Sequence, residues 1–209
     1  VVESIAAMHE GKASVFFGMG GNFLSATPDT EFTADGLRHC RLTVHVSTKP
    51  NRSHLIHGRQ GLILPCLGRS EQDHQRSGKQ LVSVENSMGV VSQSIGDLTP
   101  CSQHLLSEVA IVCGLARATL GSRSGVDWED MAANYDRIRD RIEQVIPGFG
   151  DFNRRVRQKG GFYLPNNANE GDFGPTDTGR ANFTVNQAAR HRLAEGRYLM
   201  MTIRTHDQY

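Results

Sequence analysis

Along the first 65 residues, apolar positions switch repeatedly between helical and strand spacing. Val2, Ile5, Ala6 and Met8 lie near helical spacing, and Gly11 follows as a stop. Ser14-Val15-Phe16-Phe17 is a short apolar run ended by Gly18-Met19-Gly20-Gly21-Asn22. Thr30–His39 predicts a second helix. Leu42, Val44 and Val46 then alternate with Thr43 and His45 as a strand, followed by a polar loop from Ser47 to His54. Leu62-Ile63-Leu64-Pro65 reads as a third strand. Helices set between short apolar strands predict an α/β fold, a Rossmann-like parallel sheet with flanking helices. In that class ligands sit at the carboxyl ends of strands. The loops Gly18–Asn22 and Ser47–His54 both occupy that position.

Beyond residue 65 the pattern is coarser. A strand is predicted over Gln80–Val84 and a helix from Ser102 to Leu120. Leu105, Leu106, Val109, Val112, Cys113 and Ala116 form the apolar face of that helix. Asp127 is positioned to cap another helix, with Met131, Tyr135, Ile138, Ile142 and Val145 inward and Pro147-Gly148 as its end. Residues 159–180, rich in Gly, Asn, Asp and Pro, read as a long ordered loop or exposed linker. Asn182–Val185 and Tyr198–Ile203 read as strands. No internal repeat at solenoid periods is evident.

Composition narrows the function classes. A hydrophobic fraction of 38% and a charged fraction of 22% fit a soluble globular protein. The formal net charge of +1 argues against a dedicated nucleic-acid or membrane surface. One basic cluster runs Arg154–Lys159. Arg137, Arg139 and Arg141 alternate with Asp136, Asp140 and Glu143, the pattern of a solvated helix face. No apolar run approaches the roughly 20 residues of a membrane span, and the start of the chain lacks the basic flank and apolar stretch of a secretory signal. Cys40, Cys66, Cys101 and Cys113 form no paired motif, so they read as buried or half-buried free thiols of a cytoplasmic protein. The chain starts at Val1 and stops just after a core-like strand run, so it reads as cut from something longer.

Candidate chemistry lies at the strand ends. Glycines past the first strand let backbone amides approach a phosphate or ribose, and the short Asn22 side chain can read a hydroxyl or base edge; a tight strand-to-helix turn explains the same residues. Ser47-Thr48-Lys49-Pro50-Asn51-Arg52-Ser53-His54 gathers hydroxyls, amide and cations suited to an anion. Arg204, His206 and Gln208 follow the last strand in the same way. The G-x-S-x-G elbow of a hydrolase and the spacing of a calcium loop are absent. The G-x-G-x-x-G fingerprint of an NAD-linked dehydrogenase is missing as well.

Taken together, Met19–Asp29, His45–His54, Leu62–Arg69, Val84–Val91, Gly161–Asn166 and Thr202–Tyr209 resemble, in order, segments of prokaryotic molybdopterin oxidoreductases of the formate-dehydrogenase-alpha-like branch. The resemblance covers essentially the whole chain. It implies an internal fragment of an enzyme that carries molybdenum bis(molybdopterin guanine dinucleotide) and moves two electrons to or from a small-molecule substrate. It also implies a [4Fe-4S] cluster in an N-terminal part outside this chain, and an electron-transfer partner that it does not identify. Residues 1–65 then belong to an α/β guanine-dinucleotide-binding domain. Residues 66–196 continue the core, and 197–209 begin a barrel-like C-terminal domain. The cofactor-binding residues it implies are Gly20, Gly21, Asn22, His45, Ser47, Thr48, Lys49, Arg204, His206 and Gln208. It assigns no catalytic residue and no metal ligand. The competing expectation is a non-enzymatic α/β nucleotide-binding or scaffold module.

Overall fold

Ile5 and Met8 are buried on one side of helix α1 (Val2–His9), which leads into strand β1 (Val15–Met19). A short helix α2 (Phe23–Ala26) and helix α3 (Thr30–His39) then cross to β2 (Leu42–Ser47). The α3 boundaries agree with the periodicity. Asp29 accepts from the Phe32 amide at 2.9 Å as N-cap, and Thr33, Ala34, Gly36 and Leu37 form the buried stripe. A 3-10 turn (Arg52–Leu55) precedes β3 (Gln60–Pro65). The computed structural model describes residues 1–188 and 191–200.

β1, β2 and β3 form a parallel sheet in that order, with Met19 opposite Val46 and Ser47 opposite Pro65. Their carboxyl ends are therefore level along one edge. Central β2 buries Thr43, Val44, His45 and Val46 in succession, as a strand covered on both faces does. Ile5, Met8, Leu24, Ala34, Leu37 and Cys40 cluster as the core of this part.

A two-stranded hairpin, β4 (His74–Gln75) and β5 (Gly78–Lys79), follows. An antiparallel sheet is then built from β6 (Val82–Glu85), β7 (Val90–Ser94) and β8 (Phe162–Tyr163). Glu85–Gly89 is the β6–β7 turn, where the Asn86 carboxamide accepts from the Met88 and Val90 amides. This sheet packs on helix α6 (Asp136–Val145) and helix α7 (Phe152–Arg155) through Leu81, Val91, Phe152, Val156 and Phe162. Phe152 and Phe162 meet edge-on with ring centroids 5.8 Å apart. No closed barrel occurs among the described residues.

Several expectations need correction. Helix α4 spans Glu108–Leu120, not 102–120, because the Ser107 hydroxyl caps it by accepting from the Ala110 amide. Leu106 lies outside it in a parallel bridge with Cys66. The helix expected after Asp127 is two, α5 (Trp128–Ala133) and α6, broken at Asn134. Asp127 does cap α5, accepting from the Asp130 amide at 2.9 Å. Val145 is 74% exposed, not inward. Arg139 is buried rather than solvated, because its guanidinium has protein partners at every edge: Asp136, Asn153 and the Leu81 carbonyl. Cys40, Cys66 and Cys113 are buried, whereas Cys101 is exposed.

The chain divides at Pro165 into two compact units. In the second, α8 (Asn167–Glu170) is capped by Asn166 and ends at Gly171. Asn182–Val185 and Tyr198–Met200 carry no regular element, and 201–203 lie outside the described residues. No described helix is long and apolar enough to cross a membrane.

Candidate functional site

The turn after β1 is built on Gly20 and Gly21, with φ of +66° and +65°. Side-chain-bearing residues rarely adopt that backbone. The Gly20 amide continues the ladder by donating to the Val46 carbonyl at 2.8 Å. A Cβ on Gly21 would meet nothing within 4 Å, so this turn faces open space. At Gly20 the nearest atom to such a Cβ is Glu108 Oε1, at 3.7 Å. That carboxylate was not foreseen, since nothing in the local pattern links residue 108 to a turn near residue 20.

The loop after β2 reaches back to this turn. Asn51 Nδ2 donates to the Gly21 carbonyl at 2.8 Å, and the Ser53 hydroxyl donates to Asn22 Oδ1 at 2.8 Å while accepting from the Leu24 amide. Asn22 Oδ1 also caps α2 through the Ser25 amide. The structure thus brings Gly20, Gly21 and Asn22 beside Ser47, Thr48 and Lys49, at neighbouring strand ends. Asn22 spends its carbonyl oxygen on local contacts, and the Ser47 hydroxyl donates to the Lys49 carbonyl at 2.8 Å. Thr48 and Lys49 are exposed. The loop after β3 joins them, for a Cβ on Gly68 would lie 3.9 Å from Thr48 Cγ2. Arg204, His206 and Gln208 lie outside the described residues.

His45 lies within β2 and is 7% exposed. Its ring sits 5.5 Å from Phe16 and 5.0 Å from His54, centroid to centroid. The Asn51 amide donates to His54 Nδ1 at 2.8 Å, so a neutral His54 carries its proton on Nε2. The Nε2 atoms of both His45 and His54 are buried without a partner among the described residues. Leaving a buried polar atom unpaired costs about 1–3 kcal/mol. Burial, and then the nearby His54, push the His45 imidazole below its ordinary value. Both atoms are closed off from solvent. His54 belongs to the polar loop that the sequence singled out, but its pairing with His45 depends on the sheet register and is not visible locally.

An apolar groove of about 740 Å3 opens beside the end of β1, lined by Met19, Val112, Trp128, Ile138 and Ile142, with Glu108 as an acidic member of the lining. Elsewhere, a buried network joins Tyr135 to Asp73, Ser107 and Gln80. Burial, then the hydrogen bond to Asp73, push the Tyr135 phenol far above its ordinary range, so it stays protonated and ties α6 to the β4–β5 region.

No model of a known protein family matches the chain. It is 52% identical over 208 residues to proteins named as uncharacterized oxidoreductases of Mycobacterium tuberculosis and Mycobacterium bovis, covering all of this chain and 27% of theirs. Protein YdeP of Escherichia coli is 44% identical over 211 residues, again over the whole chain and 28% of that protein. The chain thus spans about a quarter of the length of the curated relatives it matches, and it is similar to a segment of mycobacterial proteins that carry an oxidoreductase name.

Proposed function

We propose that this chain is part of a molybdopterin oxidoreductase of the formate-dehydrogenase-like kind. Its strand-end turns would hold the nucleotide end of one arm of a molybdenum bis(molybdopterin guanine dinucleotide) cofactor. The oxidoreductase name of the mycobacterial relatives supports the coarser half of this reading. The observation that carries the finer half is that Gly20-Gly21 and Thr48-Lys49 follow neighbouring strand ends, tied by the Asn51 bond to the Gly21 carbonyl, with two unpartnered imidazole nitrogens behind them in the chain fold.

The residues present fit such a group. Gly21 leaves room for close backbone approach, and the exposed Thr48 hydroxyl and Lys49 ammonium suit phosphate oxygens. His45 and His54 would give their free Nε2 atoms to a base or ribose edge. Glu108 beside Gly20 disfavours an anion there, which makes Gly21 and the β2 loop the phosphate side. When bound, the cofactor supplies a metal that exchanges two electrons with a small substrate. The chain's own residues bind and orient it. Any iron–sulfur cluster and electron-transfer partner would engage parts of the protein outside this segment.

The test uses full-length protein from cells competent in cofactor synthesis, denatured and assayed for molybdenum and guanine nucleotide. Both are expected, with two guanine nucleotides for each molybdenum. A folded preparation from such cells that releases neither overturns the proposal.

A further inference from the structure

Away from the sheet edge, one face of α3 presents Phe32, Asp35, Gly36 and His39, at the spacing of successive helical turns, to His9 at the end of α1. The His9 ring stacks on Phe32 with centroids 3.9 Å apart and planes 20° from parallel. It also lies over Gly36, where a Cβ would come 3.2 Å from His9 Cδ2. A side chain at residue 36 would push the ring aside by a few tenths of an ångström.

We propose that His9, Asp35 and His39 form a binding site for a divalent cation of the zinc class, clamping the end of α1 to α3. A ring nitrogen of each histidine and an Asp35 carboxylate oxygen all lie within 4.8 Å of one another. His9 Nδ1 is 3.3 Å from Asp35 Oδ2. Ligands about 2.0–2.1 Å from a tetrahedral zinc are about 3.3–3.4 Å apart, so this pair already stands at ligand spacing.

Orientation of the His9 ring is a second, independent indication. His9 Nε2 lies 2.7 Å from the Phe32 carbonyl and His39 Nδ1 lies 2.9 Å from the Asp35 carbonyl. The Phe32 carbonyl takes the His9 Nε2 proton, which leaves Nδ1 with a free lone pair, whereas His39 Nδ1, 3.7 Å from Asp35 Oδ2, would give up its bond to the Asp35 carbonyl on joining the ligand set. Metal-binding imidazoles are oriented as His9 is, by donating their second nitrogen to a carbonyl or carboxylate. For His9 the free lone pair then faces a carboxylate oxygen, a gap that a cation held by both would fill. Two imidazoles and one carboxylate suit zinc and leave a coordination position for water. The residues are 26 and 30 positions from His9 along the chain, which hides the set from any local spacing rule.

The experiment titrates chelator-stripped full-length protein with Zn2+ against a chromophoric competitor, beside the variants His39→Ala and Gly36→Ala. Wild type is expected to take up one zinc more than His39→Ala, and to gain a zinc-dependent rise in thermal midpoint that the variant lacks. Gly36→Ala keeps every ligand but displaces the His9 ring. It is expected to weaken that zinc measurably, because the His9 nitrogen moves off ligand spacing with the ring. Equal zinc uptake by wild type and His39→Ala overturns the proposal, as does unchanged affinity in Gly36→Ala. Should His39→Ala not fold, the Gly36→Ala result decides. Molybdenum and guanine nucleotide content are expected to be the same in all three proteins, which separates this site from the cofactor reading.

Discussion

Arg139 Nη1 donates to the Leu81 carbonyl at 3.0 Å, linking α6 to the residue just before β6 across 58 positions of sequence. The same guanidinium holds Asn153 through Nε and Asp136 through Nη2, and the side chain is only 4% exposed. Arg139→Met would leave the Leu81 carbonyl without this donor and take one donor each from Asn153 Oδ1 and Asp136. The expected loss is about 1–3 kcal/mol, read from urea unfolding; a loss within about 0.5 kcal/mol of zero would show that the fork contributes nothing. Arg139→Lys is expected to recover little, since one ammonium cannot serve three directions.

Asp136 gives that network an acid limit. Burial opposes its ionisation, but hydrogen bonds from Arg157 and Arg139 outweigh it and hold the carboxyl below its ordinary value of 3.8. A carboxyl with a lowered native value contributes fully above the unfolded value, and that contribution is lost as pH falls through the native one. Asp136→Asn is therefore expected to destabilise at neutral pH and to flatten the acid limb of the stability curve. An unchanged acid limb would contradict it.

His45 titrates in the other sense. Its native value lies below the ordinary 6.5, so the unfolded chain binds the proton first as pH drops. Stability should hold above about pH 6.5 and decline below it. His45→Phe is expected to remove part of that decline, seen as a smaller fall in thermal midpoint between neutral and mildly acidic buffer. Matching slopes in variant and wild type would rule His45 out as a source.

Tyr135 donates to Asp73 and shares a 2.6 Å contact with the Ser107 hydroxyl. Tyr135→Phe keeps the ring and deletes the link. A cost of about 1–3 kcal/mol is expected from the polar groups left behind, and full stability in the variant would exclude a structural role for the link.

At Gly21 the backbone is left-handed but the space is free. Gly21→Val should therefore cost only the conformational strain, about 1–2 kcal/mol, while blocking close approach by a ligand. Guanine nucleotide recovered from full-length protein is expected to fall much further than stability does. Undiminished nucleotide content would separate the turn from cofactor binding.

Where structure follows from near neighbours, the sequence was readable. α3 is specified within its own residues: an Asp29 cap, a stripe at Thr33, Ala34 and Leu37, and basic residues in the last turn. The parallel sheet followed from strands separated by helices. Arg139 was misread because its partners at Leu81 and Asn153 are remote, and an alternating charge pattern carries no mark of them. β7 went unrecognised since Val90–Ser94 turns polar after two residues and gains its burial from Phe162. At the sheet edge, the glycines and hydroxyls were evident as residue types. The His45–His54 contact arises only once β2 and the 3-10 turn are folded together.

β3 carries one further consequence. Successive strand residues point to opposite faces, and Leu62 and Ile63 are 45% and 51% exposed. The outer strand of a parallel sheet thus shows oil to water on both sides, and its edge away from β2 pairs with no strand among the described residues, a lone bridge at the following Cys66 aside. Produced by itself, such a seam recruits the nearest available strand, which in a concentrated solution is a copy of itself. This chain by itself is therefore expected to self-assemble more as its concentration rises, and high salt would not disperse it.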